Sequence, residues 1–154
     1  MDSYRIEKAR LQVTLTLVGG DEMRGHIFVP MPAPGHDAEL DPAALFNDAE
    51  PFFPLELEGG DVLLISKTRV VEVAGLPLRE QDEQLREATP MSLLQIVLAG
   101  GVAHFGSMRL DVRADRPRLL DLLNESHARF IPLYTDHGIR LVNRALIECV
   151  RPLD

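Results

Sequence analysis

One pattern occurs twice in this chain, and it restricts the possible folds more than any other feature. Residues 60–73 have the sequence GDVLLISKTRVVEV, and residues 138–150 have the sequence GIRLVNRALIECV. Each segment begins with glycine and contains two short apolar runs that are separated by a polar-basic pair. Runs of this length that are rich in Val, Ile and Leu are typical of β-strands, and the polar pair predicts a tight turn. We therefore predict one small β-unit that is present twice.

The residues that precede the two segments also match. Residues 13–17 and 94–98 both alternate between apolar and other side chains, and a glycine pair follows each run. Alternation with a period of two predicts a half-buried strand, and the glycine pair predicts a hairpin turn. The next predicted strand contains one internal glycine in each copy, Gly25 or Gly106, which indicates a bend or bulge.

Each copy also has a predicted short helix, which is followed by a strand containing Phe and Pro. Asp41 is placed to be the N-cap of the first helix, with Pro42 as its first residue. We expect the apolar side chains of these helices to cap their own β-units. We also expect two hairpins with buried apolar side chains at Val62, Leu64, Val70, Ile139, Leu141 and Ile147. The polar residues between the copies predict a linker with one helix over residues 81–88, which ends before Pro90.

The order of these elements resembles the Sm-like (Lsm) barrel. The sequence LTLVGGDEMRGHIFV is similar to the first Sm signature, and GGDVLLISKTRVVEVAG is similar to the second. The Asp/Met/Asn motif of the Sm RNA-binding loop is absent. The second Sm signature has an Arg-Gly pair at its tight turn, and this pair is absent from both predicted turns. The resemblance implies a mainly β chain of two tandem Sm-like or SH3-like barrels, each with one short inserted helix. The barrels would span residues 1–75 and 91–154, with a linker at residues 76–90.

Composition limits the function and the location of the chain. The formal net charge of −8 disfavours general binding to nucleic acid, because that affinity depends on neutralising phosphates. Cys149 is the only cysteine, so that no intrachain disulfide is possible and a reducing compartment is favoured. No apolar run approaches the roughly 20 residues that a membrane-spanning helix needs. We therefore expect a cytoplasmic protein that binds no membrane. The inserted strand–helix–strand order also resembles a bacterial family, and this resemblance implies a bacterial protein.

The leading functional hypothesis is a non-enzymatic binding or assembly module. Small β-barrels leave edge strands whose unpaired main-chain groups can pair with another chain. The expected partner is another copy in a homo-oligomer, or a different protein. The alternative is RNA or nucleotide binding through the turns at Lys67 and Arg144, which the Sm resemblance would imply. A solvated turn cation is the competing interpretation of both residues. The candidate ligand-binding or RNA-binding residues are Ser66, Lys67, Asn143, Arg144, Arg113, Arg116 and Arg118.

Catalytic and metal sites have little support in the sequence. The glycine pairs lack the Lys-Ser/Thr that follows a phosphate-binding loop, and no nucleophile elbow or His-Glu metalloprotease motif is present. The five histidines do not have paired zinc-ligand spacing. We therefore predict neither an enzyme nor a bound cofactor or metal.

Overall fold

The computed structural model describes residues 7–32, 40–110 and 118–154. Within these ranges the chain is mainly β, as predicted, with ten strands and three short α-helices. No helix in the described ranges is long and apolar enough to cross a membrane. The helices are α1 (Pro42–Asn47), α2 (Glu80–Ala88) and α3 (Leu119–Glu125). The strands are β1 (Lys8–Leu17), β2 (Glu22–Pro30), β3 (Phe52–Leu57), β4 (Val62–Ser66), β5 (Val70–Leu76), β6 (Met91–Leu98), β7 (Ala103–Arg109), β8 (Phe130–Thr135), β9 (Gly138–Asn143) and β10 (Ile147–Pro152).

All ten strands belong to one antiparallel sheet with the order β10-β6-β7-β8-β9-β5-β1-β2-β3-β4. Residues 8–76, which we call the first half, supply the run β5-β1-β2-β3-β4. Residues 91–152, the second half, supply the run β10-β6-β7-β8-β9. Both halves therefore place their strands in the same relative order, and the pairing of β5 with β9 joins them. The sheet is not closed, because β4 and β10 each have a neighbour on one side only among the described residues.

Helices α1 and α2 lie close to their predicted positions. α1 begins at Pro42, with Asp41 at the N-cap position, although the Asp41 side chain makes no capping hydrogen bond. α2 begins one residue before its predicted start and ends at Ala88. Its first turn is fixed by Arg79 and Asp82, whose side chains form hydrogen bonds of 2.8 and 2.9 Å.

The predicted hairpins at residues 60–73 and 138–150 are wrong. The polar-basic pairs do lie between two strands, but residues 67–69 and 144–146 each form a single 3₁₀ turn. This turn redirects the chain instead of reversing it. β4 pairs with β3, whereas β5 pairs with β1 and β9, so that β4 and β5 lie on opposite sides of the first half.

Two apolar clusters form the core. One lies in the first half and includes the buried residues Val13, Leu15, Phe46 and Phe53. The other lies in the second half and is built around buried residues of β6 and β8. The β8–β9 hairpin contributes to both clusters. One of its faces packs on the second half, and its other face is buried in the cluster of the first half.

Gly25 and Gly106 are required by a close approach between strands. A Cβ atom at Gly25 would lie 2.6 Å from the main-chain oxygen of Glu56, and one at Gly106 would lie 2.5 Å from that of Tyr134. Real Cβ atoms do not tolerate such distances, so a side chain at either position would force the neighbouring strand away. The same device therefore occurs at the same place in each half.

Candidate protein interface

The contact between β5 and β9, which we call the inner joint, shows how an edge of each half is covered. The two strands are antiparallel, with Val73 opposite Leu141 and Leu76 opposite Ile139. All four side chains are buried in the cluster of the first half. Burial of apolar surface on this scale is a main source of stability in folded proteins and in their interfaces.

Helix α1 holds the neighbouring strand β8 at the inner joint. The ring of Phe130 lies 5.5 Å from the ring of Phe46, centroid to centroid, and is fully buried. The side chain of Asn47 accepts a hydrogen bond of 2.7 Å from the main-chain N–H of Phe130. It also donates one of 3.1 Å to the carbonyl oxygen of Phe130. One amide side chain of the first half therefore satisfies both main-chain groups of a buried residue in the second half.

A buried ionic group crosses the inner joint. Glu72 on β5 is buried, and its Oε1 accepts a hydrogen bond of 3.0 Å from Arg140 Nη1 on β9. Its Oε2 lies 2.6 Å from His104 Nε2 on β7. A buried carboxylate is costly unless charged and hydrogen-bonding groups surround it. The second half supplies both groups to a carboxylate of the first half.

Asn143 also connects the halves. Its Nδ2 donates hydrogen bonds of 2.9 Å to the carbonyl oxygen of Val70 and 3.4 Å to that of Lys67. Its Oδ1 accepts a hydrogen bond of 3.1 Å from the main-chain N–H of Ala145. Asn143 was predicted as a ligand-binding residue, but its buried side chain uses both its oxygen and its nitrogen within the chain.

The β3–β4 hairpin has the same internal register as the β8–β9 hairpin, so positions in the two can be matched. In β3–β4 the opposite pairs are Phe52 with Ser66, Pro54 with Leu64, and Glu56 with Val62. In β8–β9 the corresponding pairs are Phe130 with Asn143, Pro132 with Leu141, and Tyr134 with Ile139.

The matched side chains differ sharply in exposure. Phe52, Val62 and Leu64 are 56%, 52% and 72% exposed, whereas their counterparts in β8–β9 are 0%, 7% and 2% exposed. The exposed residues lie on one face of a hairpin at the edge of the sheet. With Pro54, which lies opposite Leu64, they form an apolar surface that we call the outer hairpin face, and Glu56, which lies opposite Val62, borders it. Large exposed apolar patches are typical of interaction sites.

The burial predicted for Val62 and Leu64 is therefore wrong. Val70, Ile139 and Leu141 are buried as predicted, and Ile147 is partly buried. Val62 and Leu64 point away from the core of their own half. They lie on the face of β4 that corresponds to the face of β9 buried against the first half. Only a neighbour on that side would bury them.

Lys67 lies inside the protein. Its side chain is fully buried, and its Nζ donates hydrogen bonds of 2.7 Å to the carbonyl oxygen of Leu45 and 2.5 Å to Asp48 Oδ1. Partial desolvation acts to raise the pKa of Asp48. The hydrogen bond and charge of Lys67, with a hydrogen bond from the Glu50 N–H, outweigh it, so that the pKa lies below its ordinary value. Lys67 therefore braces the end of α1 and presents no charge to solvent.

Arg144 has a related role in the second half. Its Nε donates to the carbonyl oxygen of Ala128 at 3.2 Å, and its Nη1 donates to that of Leu123 at 3.3 Å. It thus braces the end of α3, as Lys67 braces that of α1. RNA binding through these two turns stays a prediction, and the positions of both side chains give it no support.

Of the remaining predicted site residues, the structure describes Ser66 and Arg118. The Ser66 hydroxyl lies 3.1 Å from that of Thr68. Arg118 is exposed and forms an ion pair with Asp121 at 3.1 Å, which raises the pKa of Arg118 through the hydrogen bond and the charge of Asp121. Arg113 and Arg116 lie outside the described residues.

The described surface has one further feature of note, a polar depression. A depression of about 660 Å³ lies over β1, β2 and β3, where Arg10 and Glu56 form an ion pair. Among residues 7–32, 40–110 and 118–154, no group of three His, Cys, Asp or Glu side chains is arranged to hold a metal ion.

Comparisons with known proteins found no matching family model, no matching curated protein and no matching solved structure.

Proposed function

We propose that this chain is a non-enzymatic protein-binding module, built from two copies of a five-stranded unit, and that the outer hairpin face is its binding surface. One observation carries the proposal. The same hairpin geometry occurs twice, and its apolar face is buried against a neighbouring unit in one case and exposed in the other. A protein surface of the kind that covers β9 would cover the exposed face in the same way.

The duplication behind this proposal is supported by three correspondences. The strand orders of the halves are the same, the two hairpins share their register, and the close approaches at Gly25 and Gly106 coincide. Each correspondence arises from main-chain geometry, which changes more slowly than side-chain identity when two copies diverge.

The main chain of β4 offers additional hydrogen-bonding groups beside the outer hairpin face. β4 is an edge strand, and its outward N–H and C=O groups have no strand to pair with in the described ranges. Unpaired strand edges bind other chains by forming additional main-chain hydrogen bonds, while side-chain pockets give specificity. The outer hairpin face therefore combines an open edge with an apolar surface.

Site-specific photo-crosslinking in cells tests this function. A photoreactive phenylalanine at position 64 should give discrete protein adducts on illumination. The matched control is position 105, where Phe105 is 65% exposed on β7 and lies outside the outer hairpin face. Equal labelling at both positions, or no protein adduct at position 64, would overturn the proposed function.

A further inference from the structure

We propose that the partner of the outer hairpin face is a second copy of this chain, whose β10 pairs with β4 in the register that β5 has with β9. This inference rests on the proposed function and names its partner. The two edges of the sheet, β4 and β10, are then the two sides of one contact that is repeated from chain to chain.

The register follows from the positions of the two 3₁₀ turns. Val70 and Ile147 each begin the strand after such a turn, so that Val150 corresponds to Val73 and Leu153 to Leu76. Applied to the outer edges, the register of the inner joint places Val150 opposite Leu64 of the neighbouring chain. It also places Leu153 near Val62.

The side of the molecule that would receive the hairpin exposes apolar groups where they are needed. Leu153 is 44% exposed, whereas its counterpart Leu76 is 4% exposed at the inner joint. Val150 is partly buried, in contrast to the complete burial of Val73. Both edges therefore lack the cover that the inner joint provides, and each offers the apolar surface that the other would bury.

The ionic group of the inner joint has neutral counterparts at the outer edges. Strand register and position after the turns give three matches: Cys149 corresponds to Glu72, Leu63 to Arg140, and Met23 to His104. All three members are changed together. Glu56 is the one charged residue of the hairpin that takes the place of a residue buried at the inner joint, Tyr134, and it is already paired with Arg10. Contact between the outer edges would therefore bury no charge that lacks a partner.

This concerted change also favours β10 over other strands as the occupant. A strand that carried a carboxylate at the position of Cys149, as β5 does, would bury it against Leu63 without a cation. An unpaired buried charge is strongly unfavourable. The neutral edge of one copy is thus matched to the neutral edge of the next copy, while the charged pair of edges is used within the chain.

Asn124 is placed to hold the hairpin as Asn47 does. The sequence Leu-Phe-Asn ends at Asn47 and the sequence Leu-Leu-Asn ends at Asn124, each in the short helix of its half. Asn124 is exposed and makes no side-chain hydrogen bond within the described part of the chain. In the proposed contact its amide would bond the main chain of Phe52 in the neighbouring copy.

A mixed disulfide experiment tests the register. In a Cys149→Ser background, one sample carries Leu64→Cys and a second carries Val150→Cys. Residues directly opposite in antiparallel strands lie within reach of a disulfide. Mild oxidation of the mixture should therefore give a heterodimer in excess over the two homodimers. Because Arg151 points to the opposite face of its strand, Arg151→Cys in place of Val150→Cys should abolish that excess.

A charge-transplant experiment tests the partner independently. Leu63→Arg places a guanidinium in the proposed contact without an anion and should weaken self-association at least about tenfold. Adding Cys149→Glu restores the arrangement of Glu72 and Arg140, and the double variant should regain most of the loss. Sedimentation velocity measures both effects, and circular dichroism checks that each variant is folded.

The outcomes distinguish this inference from the proposed function. Heterodimer excess with rescue by the double variant supports pairing between copies. Statistical disulfides, a wild-type chain that is monomeric at high concentration, or no rescue would overturn it. If position 64 nevertheless crosslinks to a different protein in cells, the outer hairpin face remains a protein-binding surface and only the identity of the partner is wrong.

Discussion

The β8–β9 and β3–β4 hairpins are the most instructive comparison in this molecule. They share strand register, an apolar outer face and a proline at the same position of the first strand. Leucine occurs in both hairpins at the position opposite that proline, yet Leu141 is 2% exposed and Leu64 is 72% exposed. The environment, and not the residue type, decides burial at these positions. The inner joint thus shows the covered form of a surface that the outer edge leaves open.

The inner joint and the outer edges also differ in charge, because only the inner joint contains an ionic group. The inner joint contains Glu72, Arg140 and His104 in contact, and the outer edges carry neutral residues at the matching positions. A joint within one chain forms once and is held by covalent connection, so that it can bury an ionic group that is already paired. A joint between chains would have to desolvate its charges each time it forms, which neutral side chains avoid.

Truncation of the matched leucines gives the largest expected contrast. Leu141→Ala should lower the free energy of unfolding by about 2–5 kcal/mol, because it leaves a cavity in the core of the first half. Leu64→Ala should change it by less than about 0.5 kcal/mol, as is usual for exposed positions. Urea denaturation at low protein concentration, where chains are separate, measures both values. Equal losses would show that the two faces are not in different environments.

The glycines of the close approaches give a smaller contrast. Gly106→Ala and Gly25→Ala both force a Cβ atom against the main chain of the next strand, and overpacking of this kind costs roughly 1–3 kcal/mol. We expect Gly106→Ala to be the more harmful, because β8 and β9 are held from both sides. The β3–β4 hairpin lies at the edge of the sheet and can move outwards.

Chemical denaturation measures this difference, and Ser107→Ala, next to Gly106 on β7, is the control for a small change without a clash. A larger loss for Gly25→Ala would mean that the outer hairpin is fixed more firmly than the inner one. Some contact beyond the described edge would then have to hold it.

The sequence predicts the strands and helices well because local patterns determine them. The alternation in residues 13–17 and the proline at the start of α1 were sufficient to place those elements. The partner of each strand could not be predicted in the same way. Two apolar runs with a polar pair between them suit a hairpin, and only the main-chain path through the 3₁₀ turn separates β4 from β5.

The candidate interface was missed for a related reason. Apolar residues in a strand are expected to face the core, and the sequence of β4 gives no sign that Leu64 faces outwards. The signal that was available is the match of Phe52 with Phe130, because both occur in a Phe-X-Pro segment at the start of a strand. The sequence favours the basic residues Lys67 and Arg144 instead, because a cation in a predicted turn is normally exposed. In the structure each one binds a carbonyl group at the end of a helix.

The smallest expected effect concerns pH, and it compares the braces of the two halves. Asp48 pairs with buried Lys67, and its pKa is lowered in the folded protein from an ordinary value of 3.8. Since the folded pKa is below the unfolded pKa, the pair contributes its full stability above the ordinary value. That contribution is lost as the pH falls through the lowered pKa. The brace of the second half binds carbonyl oxygens only, so that it has no such dependence.

Asp48→Asn isolates this contribution. The variant should be less stable than the wild type at neutral pH, and the difference should shrink from about pH 4 downwards and vanish in stronger acid. Lys67 is buried, but it keeps its hydrogen bond to the Leu45 carbonyl oxygen, and the Asn side-chain oxygen can still accept a hydrogen bond from it. Because the Asp48 side chain is 43% exposed, solvent also screens the lost charge, and the difference should be smaller than the glycine effects. Urea denaturation of both proteins between pH 2 and pH 7 measures this difference, and effects of other acidic groups cancel in the comparison.

Asp121→Asn, which removes the exposed ion pair with Arg118, is the control and should give almost no difference at neutral pH. A difference between Asp48→Asn and the wild type that persists unchanged into strong acid would show that the Asp48 side chain acts through its shape and not through its charge.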